Sequence, residues 1–178
     1  MKSTAIKAAK EAGKIILRYY SKNVDAVSKG NTYDLVTEAD LASESKIISI
    51  IKKKFPNHSL LTEESGEEIH KSDYCWVIDP LDGTNNFYHK FPMFCISIAL
   101  YKKGKPLIGV VFDPLKNELF FAEKNEGAFL NNKKINVSNV SKLSDSLLVL
   151  GFYYERGLLM RKSLGQMKKF FYENVHGI

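Results

Sequence analysis

The stretch Trp76-Val77-Ile78-Asp79-Pro80-Leu81-Asp82-Gly83-Thr84-Asn85-Asn86-Phe87 constrains this chain more than any other. Its apolar lead-in reads as a buried strand that ends at Asp79. Pro80 fixes φ and removes a backbone donor, so the chain is predicted to turn there. The turn directs the Asp79 and Asp82 carboxylates towards one spot. Facing carboxylates repel unless a cation separates them. Oxygen ligands without nearby His or Cys suit Mg²⁺ better than zinc. Gly83-Thr84 can open a helix or turn whose N–H groups receive an anion. A cation site beside an anion site reads as phosphate chemistry. The same residues are also an ordinary turn composition, so the reading depends on carboxylates elsewhere in the chain.

Two such groups lie upstream. Asp34-Leu35-Val36-Thr37-Glu38-Ala39-Asp40 contains Thr37 and Asp40 at the spacing of a capping box. Asp34 itself reads as a local turn residue. Glu63-Glu64-Ser65 follows a short predicted strand, Ser59 to Thr62. Glu64 reads as solvated or as a supporting residue.

The periodicity around these groups predicts an α+β fold. Ala5, Ala8, Ala9, Ala12, Ile15, Ile16, Tyr19 and Tyr20 mark one amphipathic helix. Ile47, Ile48 and Ile51 mark a second, which Pro56 ends. Strands are predicted at Tyr74 to Asp79, Phe94 to Tyr101, Leu107 to Phe112, Glu118 to Glu123 and Gly127 to Leu130, with Gly, Pro and Asn turns between them. The expected arrangement is a layered helix/sheet sandwich, with two helices on an antiparallel meander over residues 1–140. Residues 141–178 read as the start of a mixed α/β domain. There Leu147 to Gly151 is expected as a buried strand. Arg156 to Tyr172 is expected as a helix with Met160, Leu164, Met167, Phe170 and Phe171 inward.

Bulk properties narrow the function classes. The chain has 178 residues, is 44% hydrophobic and carries a formal charge of +6. That balance suits a globular domain with an anionic ligand. The lysines are scattered apart from Lys52-Lys53-Lys54, which argues against a nucleic-acid binder. Cys75 and Cys95 have no metal-ligand spacing and read as reduced core thiols. The four histidines read as loop or surface residues. No run reaches the ~18 apolar residues of a membrane span. The Lys-, Ala- and Glu-rich start does not resemble a signal peptide. The expected location is the cytoplasm.

Taken in order, Asp34 to Asp40, Glu63-Glu64-Ser65 and Asp79-Pro80-Leu81-Asp82-Gly83-Thr84, with Asn86-Phe87 and Phe91-Pro92, resemble the inositol monophosphatase family. The resemblance extends over nearly the whole chain. It implies a Mg²⁺-dependent, Li⁺-sensitive phosphatase of small molecules. It also implies Glu63, Asp79 and the Leu81 carbonyl at a first metal, and Asp79 and Asp82 at a second. Glu63 and Thr84 would hold the attacking water, and Asp40 would fix the Thr84 hydroxyl. The Gly83 and Thr84 N–H groups would cradle phosphate, and Lys29 would be a basic loop residue near the metals. Asp40 can also cap the second helix, and Lys29 also reads as an ordinary loop lysine. The resemblance implies inositol monophosphate as substrate, with fructose 1,6-bisphosphate and 3′-phosphoadenosine 5′-phosphate as rivals. It further implies a homodimer, with the active site between the domains.

The chain departs from the family pattern at its end. The family has a later Trp-Asp motif whose aspartate is a metal ligand, preceded by a Gly-Ser-Ala-type segment, and no Trp follows Trp76 here. The expectation from the sequence is weak Mg²⁺ binding at the first site, poor turnover and self-association. An inactive remnant serving as an interaction protein is the alternative.

Overall fold

An alanine stripe lets a helix approach a sheet closely, and the N-terminal helix uses it. In the computed structural model α1 spans Lys2–Tyr20 and buries Ala5, Ala8, Ala9, Ala12 and Ile16. A Cβ added to Gly13 would come within 2.6 Å of the Phe112 ring, so glycine belongs to this approach. The structure describes residues 1–22, 26–28, 35–151 and 157–177. The chain divides into two compact units, Met1–Ile135 and Asn136–Ile178.

In the first unit a short antiparallel pair, β1 (Ala26–Ser28) and β2 (Leu35–Thr37), precedes α2 (Glu38–Lys54). β3 (Ser59–Thr62) and β4 (Gly66–Glu68) follow, then β5 (Tyr74–Asp82) and a short helix, α3 (Thr84–Tyr88). β6 (Cys95–Lys102), β7 (Lys105–Asp113), β8 (Glu118–Glu123), β9 (Gly127–Leu130) and β10 (Lys133–Ile135) form the meander. The main sheet has the order β10-β9-β8-β7-β6-β5-β3-β4. One face of it buries alternate residues: Trp76, Ile78, Ile96, Ile98, Leu100, Ile108, Val110, Leu119 and Phe121. The period of two expected of strands is therefore present. Each such side chain contributes about 1.5–3 kcal/mol on burial.

Two expectations are corrected here. The sheet is mixed rather than antiparallel, because β3 runs parallel to β5, pairing Thr62 with Ile78. A parallel pair needs a crossover, and the chain passes through β4 between the two strands. The strand also does not stop at Asp79. It continues through Pro80 to Asp82, with a register shift against β6 between Asp79 and Asp82. A bulge suits proline, which has no N–H to give to the ladder.

The second unit is sparsely packed. It contains a 3₁₀ turn at Leu143–Asp145 and α4 (Leu158–Tyr172). Met160, Met167 and Phe170 are half-buried, but Leu164 and Phe171 are exposed. The expected buried strand at Leu147 to Gly151 is a single parallel bridge from Leu147 to Gly177, with Val149 93% exposed. One bridge provides no ladder, so the apolar run there has no sheet face to enter.

Candidate active site

α2 carries polar residues where a helix packed on a sheet would ordinarily carry apolar ones. Asp40, Ser43 and Glu44 are buried on the same face as Ile47 and Ile51. The spacings of three and four residues put all five on one stripe. Each of the three polar residues reaches a different segment.

Asp40 does two jobs. Its Oδ2 accepts hydrogen bonds from the Thr37 N–H at 2.9 Å and the Thr37 hydroxyl at 2.5 Å. The Thr37 oxygen in turn accepts from the Ala39 N–H, completing the capping box predicted from sequence. Its Oδ1 lies 2.9 Å from the Thr84 hydroxyl. Burial raises the Asp40 carboxyl above its ordinary range, while the bonds from Thr37 and Thr84 pull it down. The Thr84 hydroxyl also lies 3.0 Å from the Leu81 carbonyl. It has one proton, so it donates to one of these oxygens at a time.

Asp79 and Asp82 flank the bulge. Asp79 Oδ1 accepts the Leu81 N–H at 3.2 Å, a local turn of the kind Asp forms. The Pro80 carbonyl accepts from the buried Ser43 hydroxyl at 2.9 Å. The Asp79 carboxyl is pushed up to about 7, first by burial, then by the charge of Glu63 and a hydrogen bond with it, then by Asp82. Parallel pairing of β3 with β5 brings Glu63 to Asp79, and the Glu63 N–H donates to the Ile78 carbonyl at 3.2 Å. Asp82 is exposed and lies 3.7 Å from the Cys95 thiol. Burial, then the Asp82 charge, pushes that thiol up to about 12. Both cysteines are free and half-buried rather than core residues.

The turn after Asp82 depends on Gly83. Its φ is 92°, and an added Cβ would come within 2.9 Å of the Met93 carbonyl. Glycine alone adopts that conformation without strain. It opens α3, so Thr84 is the first helical residue.

The structure therefore brings Glu63, Asp79, Asp82, Thr84, Asp40 and the Leu81 carbonyl into one neighbourhood. Lys29 and Asp34 lie outside the described residues. Glu63 and Asp79 are in hydrogen-bond contact, which requires a shared proton between two carboxyls. A hard cation can take that proton's place, so the donor set fits Mg²⁺. Among the described residues no three His, Cys, Asp or Glu side chains are arranged to hold an ion as they stand. The fit thus rests on Glu63 and Asp79 parting from each other.

Four residues escaped the sequence reading. Ser43 and Glu44 lie at the three- and four-residue spacing from Asp40, a signal present in the sequence. His58 is a loop residue, as expected, but it is half-buried. Its ring stacks on Phe55 and Tyr74, and its Nδ1 accepts the Trp76 indole N–H at 3.1 Å. Lys90 donates to the Tyr20 and Lys22 carbonyls at the end of α1. Lys102, Lys103, Lys105 and Lys124 line one cavity of about 240 Å³. It lies where Tyr74 pairs with Lys102, the opposite end of β5 from Asp79.

Comparison with known proteins places this geometry. The model of the inositol monophosphatase family matches residues 1–176. Nus factor SuhB of Pasteurella multocida is 43% identical over 169 residues, 94% of this chain and 63% of that protein. An inositol-1-monophosphatase of Synechocystis is 45% identical over 153 residues, 85% of this chain and 53% of that protein. The crystal structure of extragenic suppressor protein suhB from Bartonella henselae superposes with a TM-score of 0.93 at 36% identity, covering 99% of this chain and 68% of that one. An IMPase/NADP phosphatase complexed with Mg²⁺ and phosphate superposes with a TM-score of 0.70 at 30% identity, covering 78% of this chain and 53% of that one. The chain thus spans between half and two thirds of the length of both curated relatives. No described helix is long and apolar enough to cross a membrane.

Proposed function

The chain belongs to the inositol monophosphatase family, and from that premise we propose that it hydrolyses a small phosphate monoester, inositol monophosphate, in a Mg²⁺-dependent reaction. The observation that carries this reading is the Glu63–Asp79 contact with Asp82 beside it. Burial first, then these carboxyls, push Asp79 up to about 7, and a divalent cation would relieve the repulsion among the carboxylates. The name of the Synechocystis relative supports the substrate, and the Mg²⁺ and phosphate in the IMPase/NADP phosphatase support the cofactor.

In this reading Glu63, Asp79 and the Leu81 carbonyl hold a first metal, and Asp79 and Asp82 a second. Bound Mg²⁺ would neutralise the phosphate ester and acidify a coordinated water. The residues of the chain supply orientation. Thr84, donating to Asp40, keeps a lone pair free to accept a hydrogen bond from that water, and Glu63 would take the one proton the water loses on attack. Gly83 and Thr84 present their N–H groups to phosphate. No side-chain nucleophile is needed, so water attacks directly without a phosphoenzyme. Lys29 belongs to the proposed site as a basic neighbour. We place the protein in the cytoplasm as a homodimer, with no nucleic acid or membrane among its partners.

The substrate is tested by phosphate release from inositol 1-phosphate, fructose 1,6-bisphosphate and 3′-phosphoadenosine 5′-phosphate in parallel. The highest kcat/KM is expected for inositol 1-phosphate, and preference for the nucleotide would overturn the choice. A second reading follows from the relative named Nus factor SuhB. In that reading this chain acts by interaction instead of catalysis, and Asp79→Asn would leave its function in the cell unchanged.

A further inference from the structure

Glu44 is a carboxylate without a part in the proposed chemistry, yet it is only 1% exposed. It lies one turn after Asp40 on the buried face of α2. Among the described residues, all three of its hydrogen bonds come from the turn that carries Glu63. Oε2 accepts the Glu64 N–H at 2.9 Å, Oε1 accepts the Ser65 N–H at 2.9 Å, and Oε1 also accepts the Ser65 hydroxyl. An uncompensated carboxylate is costly to bury, and three donors aimed at it offset that cost.

The turn is fixed from its other side as well. The Glu63 N–H donates to Ile78, and the Thr62 hydroxyl donates to the Gly66 carbonyl at 3.1 Å. Gly66 closes the turn at a φ of 78°. Glu63 is thus held by β5 before the turn and by Glu44 after it. Asp40 holds Thr84 and Ser43 holds Pro80 from the same helical stripe. One rigid helix therefore sets the spacing among the three segments that converge at Asp79.

We propose that Glu44 is a positioning residue that fixes the Glu63–Ser65 turn so that the Glu63 carboxylate meets Asp79 at the cation site, an inference that rests on the metal-dependent reading above. Glu44 touches neither ion nor substrate in this role. Its effect is to keep Glu63 from wandering when cation and proton exchange places.

Glu44→Gln tests this with little change of shape. Both backbone partners are donors, so whichever way the amide is turned, its NH₂ group faces one backbone N–H. Ser65→Ala removes one of the three contacts and leaves the carboxylate, so it remains readable if E44Q fails to fold. Ile47→Val, on the same face of α2, serves as a packing control. The readout is calorimetric titration of the full chain with Mg²⁺ alone, alongside thermal melting.

Removal of such an indirect support lowers metal affinity about 10–100-fold. E44Q is expected to fall in that range, S65A to weaken Mg²⁺ binding less, and I47V to stay within about twofold of the parent chain. Wild-type affinity in E44Q would overturn the proposal, as would wild-type affinity in S65A should E44Q not fold. An equal loss in I47V would also overturn it, because general loosening would then be the cause. A parent chain that binds no Mg²⁺ would overturn the metal reading itself and this inference with it. Failure of the reading is thus seen in the parent chain, and failure of the inference only in the variants.

Discussion

Thr84 places its hydroxyl 2.9 Å from Asp40 Oδ1 across 44 residues of sequence. The same carboxylate caps α2 through Thr37. A residue that closes a helix end thereby sets the rotor of a residue at the candidate active site. Stability and chemistry are coupled through one side chain.

Asp40→Asn should separate these two duties. An asparagine side-chain oxygen can still accept from the Thr37 N–H and hydroxyl at the start of α2, so the melting temperature should fall little. The amide faces the Thr84 hydroxyl with a weaker acceptor or with a donor, so phosphate release should fall about 10–100-fold. Melting and steady-state kinetics on one preparation check both. Equal activity would show that the Thr84 rotor does not need the charge.

Asp79 should make stability fall as pH rises. Its carboxyl is raised to about 7 in the fold, first by burial and then by Glu63. The folded state favours the neutral acid, so this contribution is full below pH ~4 and lost as pH rises through about 7. Asp79→Asn cannot ionise. In chelator, its stability relative to the parent should improve from pH 4 to 7.5. Mg²⁺ should then restore the parent but not the variant, as denaturant melts at each pH would show.

His58 should act with the opposite sign. Burial, then the N-terminal charge, lowers its pKa below the ordinary 6.5. The neutral ring is the folded form, and Nδ1 must remain unprotonated to accept from Trp76. Its contribution is therefore full above pH ~6.5 and lost as pH falls below that value. The chain has one Trp, so Trp76 fluorescence follows this region directly. His58→Gln should flatten the dependence of unfolding between pH 7 and 5.

Gly83→Ala should be disproportionately harmful for one methyl group. The backbone there is left-handed, and the Cβ would approach the Met93 carbonyl at 2.9 Å. A loss of about 1–3 kcal/mol is expected from strain of this kind. Chemical denaturation measures it. A neutral result would mean that the turn relaxes, and phosphate release should then report the displaced Thr84.

Local pattern made much of this legible in the sequence. The alanine stripe of α1, the Thr37–Asp40 cap and the strands at Glu118–Glu123 and Gly127–Leu130 each depend on near neighbours, and each is found where it was expected. The carboxylate groups carry the family resemblance, and the family is borne out. What escaped depends on distant partners. Parallel pairing of β3 with β5 has no local signature, and neither has a proline tolerated at a bulge. Glu44 looks like a surface residue until the turn at Glu63 folds over it. His58 is a loop histidine, and nothing near it in sequence shows that Trp76 will donate to it. In the second unit Leu147 to Leu150 form a continuous apolar run like that of a buried strand, but such a run is buried only where other strands pair with it.

The most direct test of the central claim is phosphate release from inositol 1-phosphate by this chain, with and without Mg²⁺ and Li⁺, beside Asp79→Asn. The account predicts release that requires Mg²⁺, falls with Li⁺ and is lost in the variant. Release that persists in chelator, or is equal in Asp79→Asn, would contradict it.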